Sequence, residues 1–549
     1  MFDTDSQDDF QFNLDRVISH ITDRQTSISS KPILPSSDSI TSTISSLPTT
    51  LPEKGLGTSS TVNYLLEKVL PGILQAQNGP RYFGFVIGGV TPAAQLADIL
   101  ATSYDENVQV NLYQQTASTA VEQRSLELVS DLLDIKRNVF LGRTITTGAT
   151  SANVLGLACA RDHLLSKSPH LPLGYSWARD GPPSSPTLPS PPIVILGLHP
   201  HFSIAKASSL VGLGSGPRVI QSMPADSEDE LAFDLTKLEE RLKEESQVER
   251  GVIVVYGVGE VNTGGFGSGL GKVAELCKQY GSWLHVDAAF GGFAGLMPEL
   301  REYTKDMDKA DSLTLDGHKW LNVPYDCGLF YTRHTSSLTN MFQPPSASAP
   351  AYLASNATSV SASDHDDLPE GTVRAADVPS PLFVNIENSR RFRALPLLAS
   401  LLSLGKEGYT DIIIRNINFA RSVATYISTS EYYVLLNPSP PSFVHKGSEK
   451  RDGAIIPSNI VLFRARSSST LFPPQDKTSS IKLTKAINES RKVYVSATSW
   501  RGEGAVRIAV SNYLTDQKRD LRIVLDVLET VGKGEKVSWE EEGAGNGLA

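Results

Sequence analysis

Short apolar runs alternate with amphipathic stretches through the middle of the chain. Residues 193–196, 252–256, 283–286, 312–315 and 328–332 are compact, largely β-branched or aromatic runs, the pattern of buried strands. Between them, residues 203–210, 231–245 and 271–280 carry helical spacing. In the last of these Val273, Leu276, Cys277 and Tyr280 recur on one side. Strands alternating with helices predict an α/β domain, a mainly parallel sheet covered by helices on both faces. After Arg393 the pattern changes. A helical stretch is followed by strand patterns at 432–436, 460–463, 493–495 and 506–510, then by a helix over 515–531. That is the outline of a small α+β C-terminal domain.

Loops and tails divide these elements. Residues 26–60 are rich in Ser, Thr and Pro and poor in large apolar side chains, which predicts a flexible segment, with ordered structure from about Thr61 and an amphipathic helix through 73. Ahead of it, Phe10, Phe12, Leu14, Val17 and Ile18 form a helical stripe too short to build its own core. Two further stretches, 166–192 and 335–381, read as surface loops, the second long enough to act as a lid or an insertion. The expected organisation is an N-terminal arm and flexible segment over 1–60, a large domain over 61–393, a small domain over 394–535 and a tail over 536–549.

Composition then narrows the function. The 549 residues are 40% hydrophobic and 20% charged, with a formal net charge of −10 and no basic stripe, which argues against nucleic-acid binding. No stretch reaches the ~18–20 apolar residues of a membrane span. The opening MFDTDSQDDF is acidic, unlike a secretory signal or transit peptide. Three cysteines, Cys159, Cys277 and Cys327, make neither a disulfide framework nor a four-cysteine zinc site. A cytoplasmic location is expected.

Four segments carry chemistry. In Asp316-Gly317-His318-Lys319-Trp320 a lysine follows a short strand, where open α/β sheets bind ligands. Such a lysine is a candidate Schiff-base nucleophile, against the plainer reading of a surface lysine. In His285-Val286-Asp287-Ala288-Ala289 a strand-end carboxylate precedes residues too small to block a ring, a setting for a flat cationic ligand or for a simple turn aspartate. Gly148-Ala149-Thr150-Ser151 opens a helix, where free N–H groups and hydroxyls suit phosphate. His199-Pro200-His201 lacks a matching carboxylate, so metal is not expected. A histidine stacked on a planar cofactor or capping a helix fits better.

The order of these segments resembles the group II pyridoxal-phosphate (PLP)-dependent amino-acid decarboxylases, which include the aromatic-L-amino-acid, tyrosine and glutamate enzymes. HVDAAFGG and DGHKWLNVPYDCG are the specific parts, and Gly79-Pro80-Arg81-Tyr82-Phe83-Gly84-Phe85 resembles the family's substrate-access segment. The resemblance implies fold type I, a homodimer, and α-decarboxylation of an L-amino acid, an aromatic one preferred, through a Lys319 aldimine and a quinonoid intermediate. It implies that Asp287 pairs with the pyridine nitrogen and His201 stacks on the ring. Ala149, Thr150, Ser151 and His318 serve the phosphate, and Ala289 packs on the ring. Arg507 receives the substrate carboxylate beside Tyr82 and Phe83. Three departures stand out. Asp316-Gly317 replaces Asn-Pro, residues 259–264 replace a threonine-rich stretch, and no tyrosine occurs at 380–382, where the family's proton donor falls. Tyr352, the one tyrosine in the 335–381 segment, becomes the candidate donor. Without a donor, the same fold can make an aldehyde by oxidative decarboxylation. A different PLP lyase reaction and a non-catalytic binding protein are the other readings.

Overall fold

The computed structural model describes residues 7–342, 373–438, 456–473 and 476–537. It divides into two compact units, one of residues 90–414 and 438–458, the other of 1–89, 415–437 and 459–549.

The larger unit is built on a seven-stranded sheet: β1 (Gly142–Thr146), β2 (Ile193–Gly197), β3 (Ile220–Ser222), β4 (Gly251–Gly257), β5 (Trp283–Asp287), β6 (Ser312–Asp316) and β7 (Gly328–Thr332), in the order β1-β7-β6-β5-β4-β2-β3. Strands β3, β2, β4, β5 and β6 run parallel, while β7 is antiparallel to both β6 and β1. The expected mainly parallel α/β sheet is present. The strand patterns of this unit fall within observed strands. Helix Ala149–Ser166 packs on the sheet, where Leu155, Leu157, Ile193, Ile195, Ile253, Val255, Trp283 and Phe330 form a buried cluster. Each such side chain contributes about 1.5–3 kcal/mol on burial.

The smaller unit has a four-stranded antiparallel sheet, β8 (Tyr433–Leu435), β9 (Ile460–Ala465), β10 (Ser496–Trp500) and β11 (Glu503–Ala509), in the order β10-β11-β9-β8. Helix Gln517–Gly532 starts at Asp516, whose side chain accepts the Arg519 N–H, and buries Val524, Val527, Leu528 and Val531 on one stripe.

Several expectations are corrected. The segment 26–60 contains helix Ser37–Ser46, capped by Ser36. It is held by close approach and not by apolar burial: Thr43 Oγ1 donates to the Lys68 carbonyl at 2.6 Å, and a Cβ on Gly72 would lie 2.3 Å from Thr43 Oγ1. Small polar residues that pack tightly leave no apolar signature. The strand expected at 493–495 is a single bridge from Tyr494 to Tyr82, and the strand begins at Ser496. The helix expected from 231 starts at Leu235, because Asp234 caps it. The supposed loop from 335 opens with helix Thr335–Phe342, anchored by buried Leu338. Unit boundaries also differ from those expected. Residues 81–83 extend the small sheet, with Phe83 N–H donating to Tyr494 O at 2.9 Å and Ala509 N–H to Phe83 O at 3.1 Å. Residues 394–414 belong to the larger unit, where Tyr409 donates to the Leu321 carbonyl at 3.2 Å.

Candidate active site

Strand register brings the sequence motifs of the larger unit to one edge of its sheet. Thr146, the last residue of β1, and Asp316, the last of β6, both pair with Gly328 on the antiparallel β7 between them. The turns after β1 and β6 therefore emerge side by side. The approach is tight: a Cβ on Gly328 would lie 2.3 Å from the Gly148 carbonyl carbon, and one on Gly148 would lie 3.3 Å from His318 Cε1. The helix start at Ala149, with its unpaired first-turn N–H groups, thus lies beside the His318 ring. Thr147 Oγ1 and Ser151 Oγ are 2.8 Å apart at the same turn.

Lys319 follows β6 in a tight turn. Gly317 N–H donates to Cys327 O at 2.8 Å, and a Cβ on Gly317 would meet Cys327 Sγ at 2.8 Å, so this position takes glycine. Trp320 and Leu321, both buried, anchor the far side of the turn. Lys319 Nζ lies 3.8 Å from Asp316 Oδ2, and His318 Nδ1 lies 3.2 Å from Asp316 Oδ1. The second contact is an ion-pair distance without hydrogen-bond alignment, since Oδ1 has no hydrogen-bond partner. Burial pushes the Cys327 thiol well up, so it stays protonated and is no nucleophile.

Asp287 ends β5, the strand beside β6, with Asp287 in register with Thr314. Its Oδ1 accepts the Ala289 N–H at 3.2 Å and its Oδ2 accepts Asn153 Nδ2 at 3.0 Å. Ala288 and Ala289 leave no bulk beside it. His201 follows β2 and caps helix Phe202–Leu210, its Nδ1 accepting Ser203 N–H at 3.2 Å with Ser203 Oγ 2.8 Å away. Ser203 Oγ in turn accepts Asn153 Nδ2 at 3.0 Å. Capping and facing a ligand are thus compatible for His201. Asn153, Ser203 and His285 have no role assigned from the sequence. No local pattern marks them, because their partners lie on other elements.

The remaining expected residues fall elsewhere. Arg507 lies on β11 of the smaller unit, opposite Ser496 and Leu462, and is 9% exposed. Tyr82 and Phe83 belong to that unit's interior: Tyr82 stacks on Tyr494 at 4.5 Å and Phe83 packs on Phe419. Both rings pack within that core. Phe85 is the exposed aromatic of the segment, and Phe85 and Val86 both hold positive φ (56° and 57°). Two consecutive non-glycine residues in this region store strain of the kind functional segments retain. Tyr352 lies outside the described residues. Among the described residues no His/Cys/Asp/Glu cluster suits a metal, and no helix is long and apolar enough to cross a membrane.

The family described as "Pyridoxal-dependent decarboxylase conserved domain" matches residues 42–441. The chain is 26% identical to L-2,4-diaminobutyrate decarboxylase of Acinetobacter baumannii, covering 70% of each protein. It is 25% identical to phenylacetaldehyde synthase of a Rosa hybrid cultivar, over 86% of this chain and 84% of that one. Its fold matches the crystal structure of Oryza sativa TDC with PLP and tryptamine at a TM-score of 0.77 and 21% identity, covering 97% and 99% of the chains. The chain belongs to the pyridoxal-dependent decarboxylases. It is a carboxy-lyase of amino acids, and its cofactor is pyridoxal 5′-phosphate. The side chains described above fit that group: a lysine and a carboxylate at the ends of neighbouring parallel strands, small residues between them, and an open helix start beside a histidine.

Proposed function

We propose that the enzyme decarboxylates an aromatic L-amino acid, with Lys319 as the covalent attachment point for the cofactor. The observation that carries the assignment is the convergence of Asp287, Lys319 and the Ala149 helix start at one sheet edge. PLP, when bound, supplies the electron sink for the pair released as the Cα–carboxylate bond breaks. The chain's own residues do the rest. Asp287, a carboxylate at the end of β5, balances the positive charge of the protonated ring nitrogen. The first-turn N–H groups of Ala149, Thr150 and Ser151, with His318, hold the phosphate. His201 would stack on the ring and Ala289 would pack against it. Arg507, by the family resemblance, would receive the substrate carboxylate and orient the bond that breaks. The exposed Phe85 belongs to the segment that resembles the family's substrate-access segment, which supports an aromatic substrate.

A second outcome is an aldehyde. It is favoured by the likeness to phenylacetaldehyde synthase and by the absence of tyrosine at residues 380–382. Tyr352 is the donor proposed for the amine outcome. We further assign a homodimer, on the exposed apolar face of helix Gln7–Ser27, and a cytoplasmic location, on three buried free thiols.

The deciding experiment incubates the purified holoenzyme with single L-amino acids and measures CO₂, amine, aldehyde and H₂O₂. Amine with stoichiometric CO₂ from an aromatic amino acid supports the decarboxylase reading. Aldehyde with H₂O₂ supports the second. Turnover confined to acidic or basic amino acids removes the aromatic assignment.

A further inference from the structure

A continuous hydrogen-bonded chain runs behind Asp287. Trp283 Nε1 is 2.9 Å from Ser312 Oγ, and Ser312 Oγ is 2.8 Å from His285 Nδ1. His285 Nε2 is 2.9 Å from Asn153 Oδ1, and Asn153 Nδ2 is 3.0 Å from both Asp287 Oδ2 and Ser203 Oγ. Asn153, His285 and Ser312 are fully buried and Trp283 is 1% exposed. Helix Ala149–Ser166 can approach this closely because residue 156 is glycine: a Cβ there would lie 2.5 Å from His285 Cε1.

The direction of every bond follows from the two ends. The Trp283 indole can only donate, and the Asp287 carboxylate can only accept. Asn153 must therefore turn its NH₂ toward Asp287, which leaves its carbonyl to accept from His285 Nε2–H. His285 Nδ1 is then the acceptor for the Ser312 hydroxyl, whose lone pair takes the indole proton. The two ends demand the same arrangement. It also reaches His201. Asn153 spends its second N–H on Ser203 Oγ, and Ser203 presents both its N–H and its hydroxyl to His201 Nδ1. That puts the His201 proton on Nε2.

We propose that Asn153 is a positioning residue of the cofactor site: held by His285, it fixes the Asp287 carboxylate with one N–H and the His201 tautomer, through Ser203, with the other. The proposal rests on Asp287 being the partner of the ring nitrogen. Charge-assisted bonds of this kind are roughly twice as strong as neutral ones, and two of them hold Asp287 in a single orientation. Burial pushes the His285 imidazole down to about 4, against the pull of neighbouring Asp287. A neutral His285 leaves the Asp287 charge for the ligand, where an imidazolium would compete for it.

The first test uses the native protein. With ¹⁵N-labelled histidine, and His285 assigned by comparison with His285→Gln, the ring should carry its proton on Nε2 and not titrate from pH 5.5 to 9. A proton on Nδ1, or a midpoint near 6.5, overturns the proposal. The second test uses Asn153→Leu, which keeps volume and removes both N–H groups. Its apoprotein should bind PLP about 10-fold or more weakly, the size of a lost charge-assisted hydrogen bond. The absorbance of the bound cofactor should become pH-dependent between 6 and 9. A merely structural role would lower the melting temperature and leave that pH profile unmoved, which overturns the proposal. Asp287→Asn is measured alongside. If it binds PLP normally, the assignment of Asp287 itself is wrong. If it is impaired while a folded Asn153→Leu is not, only the role of Asn153 is wrong. Should Asn153→Leu not fold, Ser203→Ala decides the His201 branch: the ¹⁵N spectrum should then show His201 in mixed tautomers, and an unchanged spectrum counts against the proposal.

Discussion

Lys319 Nζ lies 3.8 Å from Asp316 Oδ2, and among the described residues the other ion-pair partner of that carboxylate is His318, at 3.2 Å from Oδ1. The lysine thus rests on an anion that its own turn provides, three residues earlier. Lys319→Met should abolish borohydride trapping of the cofactor, the yellow absorbance of the linked form, and turnover. It should also lower the melting temperature of the apoprotein, because it strands a buried charge. The double variant Asp316→Asn/Lys319→Met should recover that loss, giving a coupling of about 1 kcal/mol in a double-mutant cycle, modest because the lysine is partly exposed. Additive effects would show that the two side chains do not interact.

Asp287→Asn keeps the shape of the side chain but replaces one of its two acceptors with a donor, so it should fold with a lowered melting temperature. Its kcat should fall by at least ~100-fold, with a smaller loss of PLP affinity, because the charge that keeps the ring nitrogen protonated is gone. Stopped-flow turnover and cofactor titration measure the two separately. A kcat near that of the native enzyme would make Asp287 a turn residue only.

Arg507→Lys keeps a positive charge and loses the planar fork that grips a carboxylate at two points. The Michaelis constant for the amino acid should rise by about 10-fold while PLP affinity stays constant. An equal loss of cofactor affinity would assign Arg507 to the packing of the small sheet.

One buried and one half-buried histidine set an acid limit on stability. Burial holds both His163 and His285 down at about 4, against 6.5 for an exposed imidazole. The unfolded chain therefore binds protons first as pH falls. Their contribution is complete above about pH 6.5 and is lost progressively toward pH 4. His163, whose ring lies 5.2 Å from Trp283 and 4.2 Å from His334, is not itself a member of the hydrogen-bonded chain behind Asp287. His163→Gln should narrow the drop in melting temperature between pH 7 and 4.5. An unchanged drop would mean that His163 does not titrate on unfolding.

Phe10, Phe12 and Ile18 on helix Gln7–Ser27 are 63%, 59% and 51% exposed, an apolar face largely open to water, with the Arg16 guanidinium over the Phe12 ring. Deleting residues 1–23 should raise the dimer dissociation constant by at least 10-fold, read by sedimentation at micromolar concentration. A full-length protein that sediments as a fully active monomer would rule out the homodimer.

Much of this protein is written locally. Strand-like runs such as 283–286 and 312–315, and the helical stripe of 271–280, state which face is buried, and that depends only on neighbours along the chain. The residues that follow the strands, Asp287 and Lys319, and the helix start at Ala149 were legible for the same reason. Other features depend on strand order and register, which no local pattern encodes. Asn153 meets Asp287 across 134 residues because helix Ala149–Ser166 lies over β5, and Gly156 lets it come close. β1 and β6 open side by side because both pair with Gly328 on a strand of opposite direction. Tyr82 and Phe83 look like site residues in a motif, yet they pack in a core because the chain returns to place Tyr494 and Phe419 against them. Hydrophobic periodicity specifies burial. The partner of a buried polar group is chosen only when the sheet has closed around it.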